Sequence, residues 1–162
     1  MNEQISENQQ TVDNPGVIAF PPALYGVTLA IGLGLSFFFP VSFLPLSISL
    51  SLAALALIAA GWFSTSAFQT MTQAQTAIDP AKPATAIVSD GVFRFSRNPL
   101  YLSLTLLYIG ISLLLNAVWA FPLLLPLLAV VQIGVIQREE IYLERKFGDQ
   151  YLRYKAKVRR WL

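Results

Sequence analysis

The chain has 162 residues, of which 55% are hydrophobic and only 12% charged, and its mean hydropathy is +0.57. That balance is too apolar for an ordinary soluble domain and makes an integral membrane protein the default reading. Cysteine and histidine are both absent, which removes disulfides, thiolate nucleophiles, the usual zinc and haem ligands and imidazole acid–base catalysis, so no metal site is expected.

In chain order, residues 1–18 read as a tail whose first 14 residues are polar, mildly acidic and disordered. No charge then occurs between Asp13 and Asp79, and none between Arg97 and Arg138. Residues 98–137 would make roughly 60 Å of helix, enough for about two crossings of a hydrocarbon core of about 30 Å. Each charge-free stretch therefore predicts a helical hairpin. The first, residues 19–68, starts at Pro21-Pro22, turns between Pro40 and Pro45, and ends near Phe63. Gly26, Ala30 and Gly34 recur every four residues there, a spacing that favours close helix contact.

A cytoplasmic loop is expected over residues 69–99, with Asp79-Pro80 and Pro83 discouraging helix and Asp90-Gly91 marking a turn. The second hairpin, residues 100–137, turns at Asn116-Ala117, and Pro122 and Pro126 are expected to bend its second limb. Residues 138–162 read as an amphipathic cytoplasmic tail: Leu143, Phe147, Tyr151, Tyr154, Val158 and Trp161 are spaced by threes and fours among the seven cations from Arg145 to Arg160. That pattern suits docking on an anionic membrane surface, with an interruption at Gly148. The expected fold is thus an all-α integral membrane protein of four transmembrane helices with an amphipathic C-terminal helix.

All 11 Lys and Arg lie in the tails or the 69–99 loop, so the positive-inside rule places both termini in the cytoplasm, in a multi-pass protein of a bacterial inner membrane. The first segment lacks a preceding basic region and is not expected to be a cleaved signal. No phosphate-binding glycine loop, internal repeat or nucleic-acid signature is present.

Polar residues concentrate on that one face. Arg94, Arg97, Asn98 and Tyr101 lead into the third segment, and Glu139 and Glu140 follow the fourth, so a hairpin brings the two groups to the same depth. Boundary arginines often only snorkel to lipid phosphates, and Glu140 has the option of a plain ion pair with Arg94 or Arg97. Carboxylates and guanidiniums at one mouth also suit a zwitterion, since carboxylates receive an ammonium and guanidinium receives a carboxylate.

At these residues the chain resembles the isoprenylcysteine carboxyl methyltransferase and phospholipid methyltransferase superfamily, most closely its small bacterial members. Gly91, Phe93, Arg94, Arg97, Asn98, Pro99 and Tyr101 match one motif of that superfamily. Glu139, Glu140, Leu143, Phe147, Gly148, Tyr151 and Tyr154 match the other. The resemblance covers about residues 64–162 and makes 69–162 the methyltransferase-like core; the first two segments match only in hydropathy. Asn98 replaces the family's histidine and Ser103 a frequent glycine. Asparagine donates and accepts hydrogen bonds without carrying a proton near neutral pH, so binding survives at that position and general-base catalysis does not.

The resemblance implies S-adenosylmethionine as cofactor, with Arg97, Asn98, Pro99 and Tyr101 shaping its pocket and Glu139 and Glu140 holding its polar end. Charge logic adds Arg94 or Arg97 as the holder of the methionine carboxylate or of an acidic substrate group, and Arg94 and Glu140 are the residues assigned to catalysis. The expected reaction is O-methylation of a carboxylate or N-methylation of an amine on a lipid-like or isoprenoid acceptor. Two other readings stand beside it: a nicotinamide-dependent reductase of the membrane sterol type, and a non-catalytic membrane protein with a structural ion-pair cluster.

Overall fold

The computed structural model describes residues 13–41 and 44–162, and among them there are helices and turns but no strand. The helices are α1 (Pro21–Phe38), α2 (Leu46–Gln73), α3 (Pro99–Leu114), α4 (Ala120–Val131), α5 (Gln137–Phe147) and α6 (Asp149–Lys157). A 3-10 turn spans Gly91–Arg94, and a π-helical turn over Gln132–Ile136 joins α4 to α5 without a break.

Proline sets two of the starts. Pro21 and Pro99 occupy first-turn positions of α1 and α3, where a missing N–H costs nothing and the fixed φ is already helical. The turn between α3 and α4 sits at Asn116, as its sequence indicates, with a positive φ of 49° that asparagine tolerates. Helix α2 runs ten residues past Phe63, and the segment expected to end near Gln137 continues as helix to Phe147.

Three helices are long and apolar enough to cross a membrane: Pro21–Phe38, Leu46–Gln73 and Ala120–Phe147. At 16 residues, α3 rises about 24 Å, short of a hydrocarbon core of about 30 Å. The outward side of α2 has Leu55, Ile58 and Trp62 more than half exposed, an apolar face of the kind a membrane-spanning helix presents.

Helix α3 packs along α2, and α1 packs on α4 and α3. The principal core gathers Tyr25, Tyr101, Tyr108, Leu124, Val131 and Ile136. Its contacts are tied by polar side chains that reach across helices. Tyr25 Oη and Thr105 Oγ1 are 2.8 Å apart, Tyr108 Oη donates to Ala120 O at 2.8 Å, and Ser49 Oγ donates to Leu113 O at 2.5 Å. In an apolar setting such groups find partners within the bundle or remain unsatisfied.

Close helix approach does not use the expected Gly26–Ala30–Gly34 stripe. A Cβ at Gly26 or Gly34 would meet nothing within 4 Å, whereas one at Gly32 would lie 2.7 Å from Ala120 Cα. The stripe misleads because spacing fixes which residues share a face, while the neighbouring helix decides which face is buried.

Candidate active site

The second hairpin delivers one cluster from each limb. Asn98 and Pro99 begin α3, with Arg97 just before them and Tyr101 one turn inside. Glu139 and Glu140 lie near the start of α5, on the helix that returns. A cavity of about 150 Å³ opens between these ends, roofed by residues of the 76–88 loop and closed on one side by Tyr151 and Tyr154 of α6. Arg97, Asn98, Pro99, Tyr101, Glu139 and Glu140 all line it. Six of the seven residues singled out from the sequence are therefore brought together.

Arg94 is the seventh, and it stands apart. Its side chain is 70% exposed and pairs with Asp90 one turn earlier at 3.0 Å, whereas that of Arg97 is 8% exposed. Arg94 does not line the cavity. The 3-10 turn is the physical reason: it buries Val92 and Phe93 and leaves Arg94 facing outward.

The two glutamates occupy different environments. Glu140 is buried and compensated: Arg97 Nη1 lies 3.2 Å from Oε1, while Arg160 donates from Nε and Nη2 to the two carboxylate oxygens, each at 2.7 Å. That is the bidentate geometry in which guanidinium binds carboxylate most strongly. Glu139 instead accepts one hydrogen bond, from Tyr101 Oη at 2.5 Å, and no cation pairs with it among the described residues.

Arg97 is itself incompletely satisfied. Its Nη1 reaches Glu140 and, at 3.4 Å, Tyr151 Oη, but its buried Nε has no hydrogen-bond partner. A buried N–H without an acceptor is costly enough to be rare, and it marks a place where a ligand oxygen would be received.

The end of the chain completes the site in a way its sequence does not announce. After α6 the backbone turns extended at Val158 and runs back over the start of α3. Arg97 N donates to Arg159 O at 3.0 Å, and Asn98 Nδ2 and Ser96 Oγ both donate to Arg160 O, at 3.0 and 3.3 Å. Asn98 is thus a good helix-capping residue whose amide is spent on this strap rather than on the helix. The tail does not present its aromatic stripe to a membrane surface. Tyr151 is 3% exposed, Tyr154 Oη donates to Phe93 O at 2.8 Å, and Trp161 Nε1 donates to Gln132 Oε1 at 2.9 Å.

Burial pushes the Tyr151 hydroxyl up to about 12, with the nearby Glu140 charge adding to the effect, so both it and Tyr154, raised for the same first reason, stay protonated donors. On the far rim, Tyr142 Oη donates to Asp13 Oδ1 at 2.7 Å and accepts from Ala84 N at 3.2 Å, pinning the N-terminal segment and the roof loop to α5. Lys146 adds an ion pair to Asp13 at 2.7 Å. These two partners hold the Asp13 carboxyl below the usual carboxylate range. Asp13 is therefore a fixed point of the fold rather than part of a loose tail; residues 1–12 lie outside the described ones.

Sequence reasoning did not single out Arg160, Tyr142 or Asp13. Arg160 is one of eight cations in a basic tail, and no local pattern separates it from its neighbours.

The model of the phospholipid methyltransferase family matches residues 48–150. The chain belongs to this family. The match takes in most of α2, beyond the stretch where motifs are legible, and stops short of the strap that carries Arg160. An uncharacterized protein of Haemophilus influenzae is 48% identical over 63 residues, which are 39% of this chain and the whole of that protein. No solved structure matches. Family membership makes the cavity the candidate active site of a membrane methyltransferase.

Proposed function

We propose that the chain is an S-adenosylmethionine-dependent methyltransferase of a lipid-like acceptor, working from a four-pass fold with its cavity on the cytoplasmic side. One observation carries the reading: within a single cavity Glu139 is a carboxylate without a cation and Arg97 Nε a buried donor without an acceptor. Those two needs are complementary to the ammonium and carboxylate of an amino acid, and S-adenosylmethionine carries both on its methionine end. The residues present therefore fit the cofactor.

When bound, S-adenosylmethionine supplies a methyl group made electrophilic by a sulfonium. The protein's share is positioning and dehydration. Glu139 takes the ammonium, held in place by Tyr101 Oη. Arg97 presents Nε to the carboxylate, and Glu140 fixes the orientation of Arg97 and neutralises Arg160. Glu140 is on this reading a positioning residue, and of the two arginines considered Arg97, not Arg94, is the carboxylate holder. The roof loop and the strap keep water out. With no histidine available, a carboxylate acceptor needs no base, and an amine acceptor loses its proton to water or to a glutamate.

Calorimetric titration of S-adenosylmethionine into protein in nanodiscs tests the assignment. Glu139→Gln and Arg97→Lys should each weaken binding about 10- to 100-fold, the effect of losing a hydrogen bond to a charged group of about 1.5–3 kcal/mol. Equal affinity in wild type and both variants would sink it. Methyl-labelled S-adenosylmethionine with a host lipid extract, read by mass spectrometry, then identifies the acceptor.

A further inference from the structure

One buried carboxylate is shared by two elements. Glu140, 5% exposed, meets Arg97 from the start of α3 and Arg160 from the strap that follows α6. The two guanidiniums hold it unequally. Arg160 lays its fork on both oxygens, Nε to Oε1 and Nη2 to Oε2 at 2.7 Å each, whereas Arg97 reaches only Oε1, through Nη1 at 3.2 Å. Lys155 adds little, being engaged by Glu144 and 4.0 Å from Oε2.

Fork-to-carboxylate pairing is the strongest arrangement open to either arginine, and a fork takes both oxygens along the edge it faces. With Arg160 in that place, Arg97 keeps its buried Nε without a partner. A buried N–H without an acceptor is costly, so in the absence of Arg160 the guanidinium of Arg97 gains by turning its own fork onto Glu140. The strap is also fastened beside Arg97. Arg97 N donates to Arg159 O and Asn98 Nδ2 to Arg160 O, each at 3.0 Å. Backbone and side chain of the strap thus act on the same arginine from two sides, although Arg160 does not line the cavity.

We infer that Arg160 is a positioning residue for the cofactor: by occupying Glu140 with its fork, it keeps Arg97 Nε free for the carboxylate of S-adenosylmethionine. The inference rests on the cofactor reading of the cavity and adds to it a residue that touches no ligand. The coupling is reciprocal. A cofactor carboxylate drawn to Arg97 weakens the hold of Arg97 on Glu140, which leaves Arg160 as the main counter-charge and closes the strap more firmly.

The test titrates two ligands into protein in nanodiscs: S-adenosylmethionine, and decarboxylated S-adenosylmethionine, which keeps the ammonium and the sulfonium but has no carboxylate. Wild type should bind the first about 10- to 100-fold more tightly, the effect of a hydrogen bond to a charged group. Arg160→Met should lose most of that preference while binding the decarboxylated ligand as wild type does. Arg160→Lys, which keeps the charge but not the fork, should fall between them. If Arg160→Met does not fold, Arg160→Lys carries the test, a reduced preference supporting the inference and an undiminished one overturning it. Hydrogen exchange in residues 158–162 of wild type should slow more with S-adenosylmethionine than with the decarboxylated ligand.

A merely structural role for Arg160 predicts a different result, with both ligands weakened alike and the preference intact. That outcome, or strap exchange that responds equally to the two ligands, overturns the inference and leaves the cofactor reading in place. Wild type that binds neither ligand fails the cofactor reading itself, and this inference with it.

Discussion

Two adjacent carboxylates here have opposite roles because their partners differ. Glu140 lies between two guanidiniums, and Glu139 faces a single phenol. Replacing Glu140 with glutamine leaves Arg97 buried without its counter-charge, and losing one partner of a buried pair costs about 3–5 kcal/mol. A large drop in melting temperature is therefore expected for Glu140→Gln in calorimetry, with or without S-adenosylmethionine. Glu139→Gln should leave the melting temperature of the free protein nearly unchanged, since Tyr101 keeps an acceptor. Similar drops in both variants would show that the glutamates form one structural cluster. The sequence carried the pair and the arginines near it, but not this division, since adjacent identical residues differ only in what the fold sets opposite them.

Among the elements, α6 and the strap show how far a short amphipathic pattern underdetermines its partner. The three- and four-residue spacing of Leu143, Phe147, Tyr151 and Tyr154 reads as one helical face, but Gly148, with a φ of 51°, divides it between α5 and α6, and Leu143, Tyr151 and Tyr154 line the cavity. The same spacing serves a membrane surface or a protein surface equally well, and the structure turns it onto the cavity. Tyr151 has its hydroxyl raised above the ordinary value to about 12, so the stability it contributes is present below about pH 10 and lost as pH rises through about 12. Alkaline titration followed by tyrosinate absorbance and hydrogen exchange should find α6 loosening across that window while α2 and α3 stay protected. Exchange in α6 that begins near neutral pH would mean that these tyrosines do not anchor it.

For the whole molecule, packing of α1 on the second hairpin includes a close approach at Gly32. Gly32→Val would drive a side chain into the Ala120 backbone and should cost about 1–3 kcal/mol, seen as a lower melting temperature. Gly26→Ala, with nothing within 4 Å, should be silent; equal effects would refute this packing. Topology is open to a clean test because the chain has no cysteine of its own. A single cysteine at exposed Ala81 should react with an impermeant maleimide only from the cytoplasmic side, and one at exposed Leu115 only from the opposite side. Labelling of both from one side would show that α3 does not cross.

Charge distribution and apolar run length, by themselves, determined that the chain is an all-helical protein with long apolar helices of the kind that cross membranes. These are properties of transfer from water to lipid, and each residue contributes to them wherever its neighbours lie. The two family motifs were legible as well, because a hairpin of known turn brings its ends together. Only the tertiary structure decided that Arg97 rather than Arg94 enters the site, that Gly32 rather than Gly26 meets α4, and that Arg160 closes onto Glu140 from twenty residues away. Such choices are made by the surfaces that pack against each residue, and local spacing carries no record of them.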